Sequence, residues 1–265
     1  SFMSGATLHA ASLLQPYPPV PPAPGQPKPV TTALNWGGGR HHAQRAQAGG
    51  FCYVNDAVLG CDMLRRKFGK VLYVDIDIHH CDGVEAAFDG TDKVVTLSFH
   101  KYEKGFFPGT GAPLGRHSKV NVPLPPGITD DLFLPLYSSA VSDLASAHAS
   151  IGSPFGSVCL AVGADGLADD PIVGRDGWAL STRGLSSAVR STCLLAKKLR
   201  LPLLVLGGGG YSDVNAARAF AACTVAACEG PREGVLARLP DRVPDHEHFP
   251  RYAPTFEIHT KATAK

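Results

Sequence analysis

The chain has 265 residues, 44% of them hydrophobic and only 18% charged. That balance excludes wholesale disorder and leaves enough apolar material for the core of one large α/β domain. The formal net charge is +2 with no long basic stripe, and no apolar run approaches the roughly 20 residues of a membrane span, so neither nucleic acid nor a membrane is expected as a partner.

The elements follow in chain order. Residues 1–15, "SFMSGATLHAASLLQ", predict a short helix. Residues 16–29, "PYPPVPPAPGQPKP", are proline-rich. Proline fixes φ and removes a donor, so an extended or disordered stretch is expected. Its P-x-x-P spacing would suit an SH3 or WW module, while a plain surface loop is the simpler expectation. After it, helix and strand signals alternate. "NDAVLGCDMLRRKF" (55–68) predicts an amphipathic helix with Val58, Leu59, Met63 and Leu64 on one face. "KVLYVDID" (70–77) and "KVVTLSF" (93–99) predict buried strands. "DLFLPLYSSAVSDLASAHAS" (131–150) predicts a helix kinked or broken near Pro135. "GSVCLAVG" (156–163) and "LPLLVLGGGG" (201–210) are apolar strands on either side of a helical "LSSAVRSTCLLAKKL" (185–199). "DVNAARAFAACTVAAC" (213–228) is the last clear helix. Near-continuous Val/Leu/Ile strands alternating with helices predict a single α/β domain, with a mostly parallel sheet flanked by helices on both faces. Sites in such sheets gather at the carboxyl ends of the strands.

Seven cysteines (Cys52, Cys61, Cys81, Cys159, Cys193, Cys223 and Cys228) form no C-x-x-C pair and are odd in number. They read as buried thiols in a reducing compartment. No basic-then-apolar leader is seen, so a nuclear or cytosolic protein is expected. The first residue is Ser1 rather than Met, which reads as a fragment or a processed product.

Four strand ends carry chemistry. In the first, Asp75, Asp77 and His79 stand at i, i+2 and i+4, a spacing that points them the same way along a strand. Two carboxylates on one face repel unless a cation lies between them, which predicts a metal site. The alternative is a solvated strand end with helix-capping acids. In the second, Asp165 follows a buried strand, where a third ligand would arrive. Two carboxylates and an imidazole leave an open position on Zn²⁺, although Asp-Gly after a strand is ordinarily a turn. In the third, His41 and His42 follow a glycine run. A histidine base needs its far nitrogen oriented by a carboxylate, for which Asp75 and Asp82 are candidates. In the fourth, four glycines (207–210) precede Tyr211. A dinucleotide loop is discounted, because Ser212 stands where its third glycine belongs. The Tyr211 phenol can donate to a developing oxyanion, or it simply packs over a glycine turn.

Taken together, "NWGGGRHHA", "GGFCYVNDAVLG", "VLYVDIDIHHCDGVEAAF", "VVTLSFHKY", "GFFPGTG", "GAD", "LGGGGY" and "PDHEHF" resemble the histone deacetylase family, in family order over about residues 33 to 253. The wording is most similar to class I. The resemblance implies an arginase/deacetylase-like fold and zinc-dependent hydrolysis of the acetyl amide of N6-acetyl-lysine in histones or other proteins. It also implies acetylated partners such as histone tails, and residence in the nucleus and/or cytoplasm. By this resemblance Asp77, His79 and Asp165 are zinc ligands. His41 and His42 are the paired histidines, oriented by Asp75 and Asp82, with His42 the general base and later acid. Tyr211 is the catalytic tyrosine. Phe51 and Phe107 wall the acyl-lysine tunnel, the Gly50 carbonyl holds the substrate amide, and Gly209 lies with Tyr211 on the substrate side. A structural potassium ion would use Asp75, Asp77 and His79 with Ser98 and the Phe99 carbonyl. A second would use backbone near Phe88, Thr91 and Val94.

The chain also departs from the pattern. Pro171 stands where complex-forming members usually carry arginine, and Asp213 and Val214 lie near their second basic residue, so a corepressor or inositol-phosphate bridge is not expected. Cys81 replaces the usual glycine of the histidine-rich motif and is strained there if φ is positive. Arg40 replaces an apolar residue before the histidine pair. Residues 1–32 read as a short helix plus a proline-rich insert, and 33–265 as the deacetylase domain without its usual N-terminal part and C-terminal tail. The expectation is thus an N-terminally truncated chain. Two other functions stay open: hydrolysis of a small acetylated amine such as an acetylpolyamine, which would favour an acid at the tunnel mouth, and an inactive fragment that only binds partners. A two-manganese ureohydrolase shares this general fold but needs a denser Asp/His set.

Overall fold

In chain order the computed structural model, which describes residues 2–116, 118–172, 177–229 and 239–259, runs α1 (Phe2–Leu13), β1 (Thr32–Asn35), α2 (Asp56–Phe68), β2 (Val71–Asp75), α3 (Asp82–Ala87), β3 (Val94–Lys101), β4 (Leu114–Arg116), β5 (Lys119–Leu124), α4 (Asp130–Ser150), β6 (Ser157–Ala161), α5 (Thr182–Leu199), β7 (Leu203–Leu206) and α6 (Asp213–Glu229). The strands form one sheet in the order β1-β7-β6-β2-β3-β5-β4. All pairs are parallel except the edge pair β4·β5. The parallel sheet predicted from the apolar runs is therefore present, with one antiparallel strand at its edge.

Both faces of the sheet are covered, and the two-residue side-chain period shows how. Leu72, Val74, Leu203 and Val205 face a core shared with Phe133, Tyr137, Leu185, Val189 and Cys223 from α4, α5 and α6. Val71, Tyr73, Leu204 and Leu206 face a second core with Ala10, Ala11, Leu14, Ala57, Cys61 and Leu64 from α1 and α2 and the residue after α1. Each fully buried Leu or Val of this kind contributes roughly 1.5–3 kcal/mol. None of the described helices is long and apolar enough to cross a membrane.

Local chemistry sets the ends of the elements. Asn55 caps α2 by accepting from the Val58 N–H at 3.0 Å, and Ser181 caps α5 by accepting from Gly184 at 3.0 Å. Arg200 ends α5 in the left-handed region at φ 59°. Lys67 reaches from α2 to the orphan carbonyls at the end of α1, 2.8 Å from Ser12 O and 2.5 Å from Leu14 O. The proline-rich stretch forms no helix or strand, is largely exposed, and bends in a turn where the Gln26 N–H donates to Ala23 O at 3.0 Å. Its base is closed where the Gln15 N–H donates to Val30 O at 2.7 Å, and the Arg200 guanidinium holds Pro18 O.

Four sequence expectations need correction. Helix α4 is continuous through Pro135, so of the kink or break expected there the break does not occur. That proline lies in the second turn, where a single internal hydrogen bond is lost, and buried Phe133 and Tyr137 on either side pin the helix to the core. Strand β2 stops at Asp75 rather than 77, because acids capture the backbone donors. Asp75 Oδ1 accepts from the Asp77 N–H at 3.0 Å, and Asp77 Oδ1 from the His79 N–H at 2.9 Å. These two turns replace the regular ladder after Ile76, while Asp75 and Asp77 still flank the same His41 ring, 2.8 and 3.8 Å from its two nitrogens. Cys81 has φ −76°, so the conditional strain does not arise. Cys228 is exposed near the end of α6, whereas the other six thiols are buried.

Candidate active site

The ends of β1, β7, β6 and β2 lie side by side at one edge of the sheet, and the loops that leave them converge. The Asp77–His79 turn after β2 meets Asp165 from the loop after β6. His79 Nδ1 is 3.0 Å from Asp77 Oδ1 and 3.1 Å from Asp165 Oδ2. One ligand atom from each residue lies within 4.8 Å of the other two, and all three residues are buried. Tetrahedral ligands at about 2.0–2.1 Å from Zn²⁺ stand roughly 3.4 Å apart, close to these separations. Two carboxylates and one imidazole also leave one position free, as a catalytic rather than a structural zinc requires. The residues present therefore fit such an ion.

The charge balance at this cluster points the same way. Burial would push the Asp77 carboxyl up, but His41, His79 and His42 outweigh it and hold it well below the usual range. Burial and then the negative charge of Asp77 push Asp165 up to about 7. Burial opposes charge on His79, yet Asp165 and Asp77 raise it to about 10. Two buried acids facing one imidazole make a site that favours a cation. Gly209 gives them room: a Cβ there would meet Asp165 Oδ2 at 2.1 Å. Its N–H donates to Asp77 Oδ2 at 2.6 Å.

The histidine pair comes from the loop after β1. His41 Nδ1 meets Asp75 Oδ2 at 2.8 Å, His42 Nδ1 meets Asp82 Oδ1 at 2.7 Å, and the two Nε2 atoms are 3.0 Å apart. Both orienting acids proposed from sequence are thus in place. Burial opposes a charge on His41, but Asp75 and Asp77 overcome it and raise it to about 9. Burial, and then the positive charge of His41, push His42 down. At neutral pH the pair divides into a cation (His41) and a free base (His42).

A cleft of about 450 Å³ opens above the cluster, lined by His42, Gly50, Phe51, His79, Gly105, Phe106, Phe107, Ile172 and Tyr211. Phe107 stands edge-on to His42 at 4.8 Å, and the Phe51 ring lies 5.9 Å from that of Tyr211. Burial, Asp77 and Asp165 push the Tyr211 phenol upward, so at neutral pH it is a donor. Register places Ser98 opposite Asp75, with Phe99 next in β3. At the end of α3 the Thr91 N–H donates to Phe88 O at 3.3 Å, so that carbonyl, assigned to a second potassium ion, already accepts one hydrogen bond.

Sequence reasoning missed the residues that hold these groups still. Tyr73, fully buried, donates to Asp75 Oδ2 at 2.5 Å, the same oxygen that His41 uses. The Asn55 amide donates to His41 O and Ala43 O, each at 3.0 Å. Buried Asp56 accepts from the Gly39 and Arg40 N–H groups at 3.1 and 2.8 Å. Asp170 accepts from the Tyr211 N–H at 2.8 Å.

A family model described as the Histone deacetylase domain matches residues 3–227. Over 233 residues the chain is 40% identical to Histone deacetylase 8 of Xenopus laevis, covering 85% of this chain and 66% of that protein. It is also 40% identical over 234 residues to Histone deacetylase 9 of Arabidopsis thaliana, covering 85% of this chain and 50% of that one. The chain therefore spans between half and 66% of the length of these relatives. A match across most of its residues, over a fold that assembles the expected motifs at one sheet edge, shows that the chain belongs to the histone deacetylase family.

Proposed function

We propose that the chain hydrolyses the acetyl amide of N6-acetyl-lysine in proteins such as histones, using a zinc ion held by Asp77, His79 and Asp165. The observation that carries this is the acid-imidazole cluster and the oriented histidine pair held together beneath an aromatic-walled cleft that His42, His79 and Tyr211 line. The ion would supply Lewis acidity to the amide carbonyl and to the attacking water. The chain's own groups do the rest. His42, neutral and held by Asp82, takes the proton of that water and later gives it to the departing lysine nitrogen. His41, held cationic by Asp75, stabilises negative charge beside it. Tyr211 donates to the carbonyl oxygen as that atom gains charge. Phe51 and Phe107 admit a neutral acylated chain and disfavour a charged ammonium by desolvation. Asp75, Asp77, His79, Ser98 and Phe99 would hold a structural potassium ion on this reading, which would offset their negative charge. Catalysis on this reading needs no corepressor or inositol-phosphate bridge.

An acetylated polyamine is the competing substrate. No acid lines the cleft among the described residues, which favours acyl-lysine over a polycationic amine. Turnover on an acetyl-lysine peptide against an N-acetylated polyamine tests this. The peptide should react at least about tenfold faster, since an unpaired ammonium left at an apolar mouth costs more than one hydrogen bond. Preference for the polyamine would overturn the substrate assignment.

A further inference from the structure

Two buried histidines remain that the mechanism above does not use. His80 follows the ligand His79, and His100 lies near the end of β3; both are at most 1% exposed. Their rings are 4.6 Å apart, and each uses both nitrogens. His80 Nε2 meets Glu85 Oε2 at 3.1 Å, and Asn121 holds that same oxygen at 2.9 Å. His80 Nδ1 meets Thr110 Oγ1 at 2.8 Å. His100 Nδ1 meets Ser98 Oγ at 2.8 Å, and its Nε2–H donates to Gly111 O at 2.7 Å. Burial pushes His100 down to about 4, so it is neutral, consistent with one donating and one accepting nitrogen. Each ring therefore has one nitrogen on the scaffold and one on the same short loop, residues 102–111.

That loop carries the tunnel wall. Phe106 stacks flat on His79, with centroids 5.3 Å apart and planes 5° apart, and Phe107 stands edge-on to His42 and His79. Where the loop leaves β3, Lys101 Nζ lies 4.5 Å from the centre of the Phe106 ring. Between its ends, residues 102–105 are exposed. The close approach at the far end demands glycine: Gly111 has φ +94°, and a Cβ there would meet His100 Nε2 at 2.3 Å.

We propose that His80 and His100 are positioning residues that anchor the aromatic loop through Thr110 and Gly111, and so set how tightly the acylated side chain is held. The inference rests on the deacetylase reading for its substrate, but not for its geometry. A loosened loop spends part of its time out of the binding-competent position, and apparent affinity falls by that fraction. Chemistry in the filled site is unchanged, so the effect falls on KM rather than kcat.

Thr110 is exposed, so replacing it leaves the core intact. Thr110→Val should raise KM for an acetyl-lysine peptide about fivefold, the size of one lost neutral hydrogen bond, with kcat within about twofold of wild type. Amide hydrogen exchange over residues 105–111 should quicken in the same variant. Thr110→Ser, which keeps the hydroxyl, should restore both, and Gly111→Ala should raise KM further. Exchange is read without turnover, so it tests the anchor even if the wild-type chain proves inactive on the peptide. Unchanged exchange and KM in Thr110→Val, or failure of serine to restore them, would overturn the proposal.

Discussion

Tyr211→Phe is expected to lower kcat by about 10²–10³-fold, with KM and metal content near wild type. The hydroxyl is the only part removed, and the ring still packs beside Phe51. Ground-state binding depends on the walls of the cleft, whereas the hydroxyl matters most once the carbonyl oxygen carries charge. Loss of a donor aimed at such an oxygen costs about 2.7–4 kcal/mol of transition-state stabilisation. Because the backbone is fixed by Asp170 on the Tyr211 N–H, the variant should not displace the loop. A melting temperature equal to wild type would confirm that. A loss of less than tenfold would remove Tyr211 from the mechanism.

His42→Ala should cost about 10²–10⁴-fold in kcat, the range for a positioned general base. The pH dependence follows from its surroundings. Burial and the charge on His41 both disfavour protonation, so His42 becomes a free base at a pH below 6.5. A base must be unprotonated to act, so kcat/KM should rise with pH through that lowered value and be fully developed at neutrality. A divalent ion nearby adds positive charge and shifts the limb the same way. Asp82 is what holds His42 up, through its hydrogen bond and charge. Asp82→Asn should therefore move the acid limb to still lower pH and weaken the base. A limb that moves upward in Asp82→Asn would contradict the assignment of His42.

The parts of the fold legible in the sequence were those with a strong periodic signal. Strands β2, β3, β6 and β7 are apolar runs buried on both faces, and α5 keeps a helical stripe from Leu185 to Ala196. Strand β1 has only the four residues "TALN", too few to show a period, and β5 carries Lys119, Asn121 and Pro123 in its sequence. Both are specified by their neighbours in the sheet rather than by their own composition. The chemistry was legible because acids and histidines are costly at the ends of buried strands and so stand out. The supports were not. Tyr73 reads as an ordinary aromatic in a strand and Asn55 as an ordinary cap; each acquires its second role only when the loops come together. The same holds for the end of β2, where the apolar run gave no sign that the Asp75 and Asp77 carboxylates would accept from the next backbone donors and end the strand.

Everything rests on a divalent ion between Asp77, His79 and Asp165, and metal content measured against turnover reaches that claim most directly. Elemental analysis of the purified chain should find one zinc per active molecule. Removal by a chelator should abolish acetyl-lysine turnover, and one equivalent of zinc should bring it back. Full turnover by a chain shown to be metal-free would contradict the account.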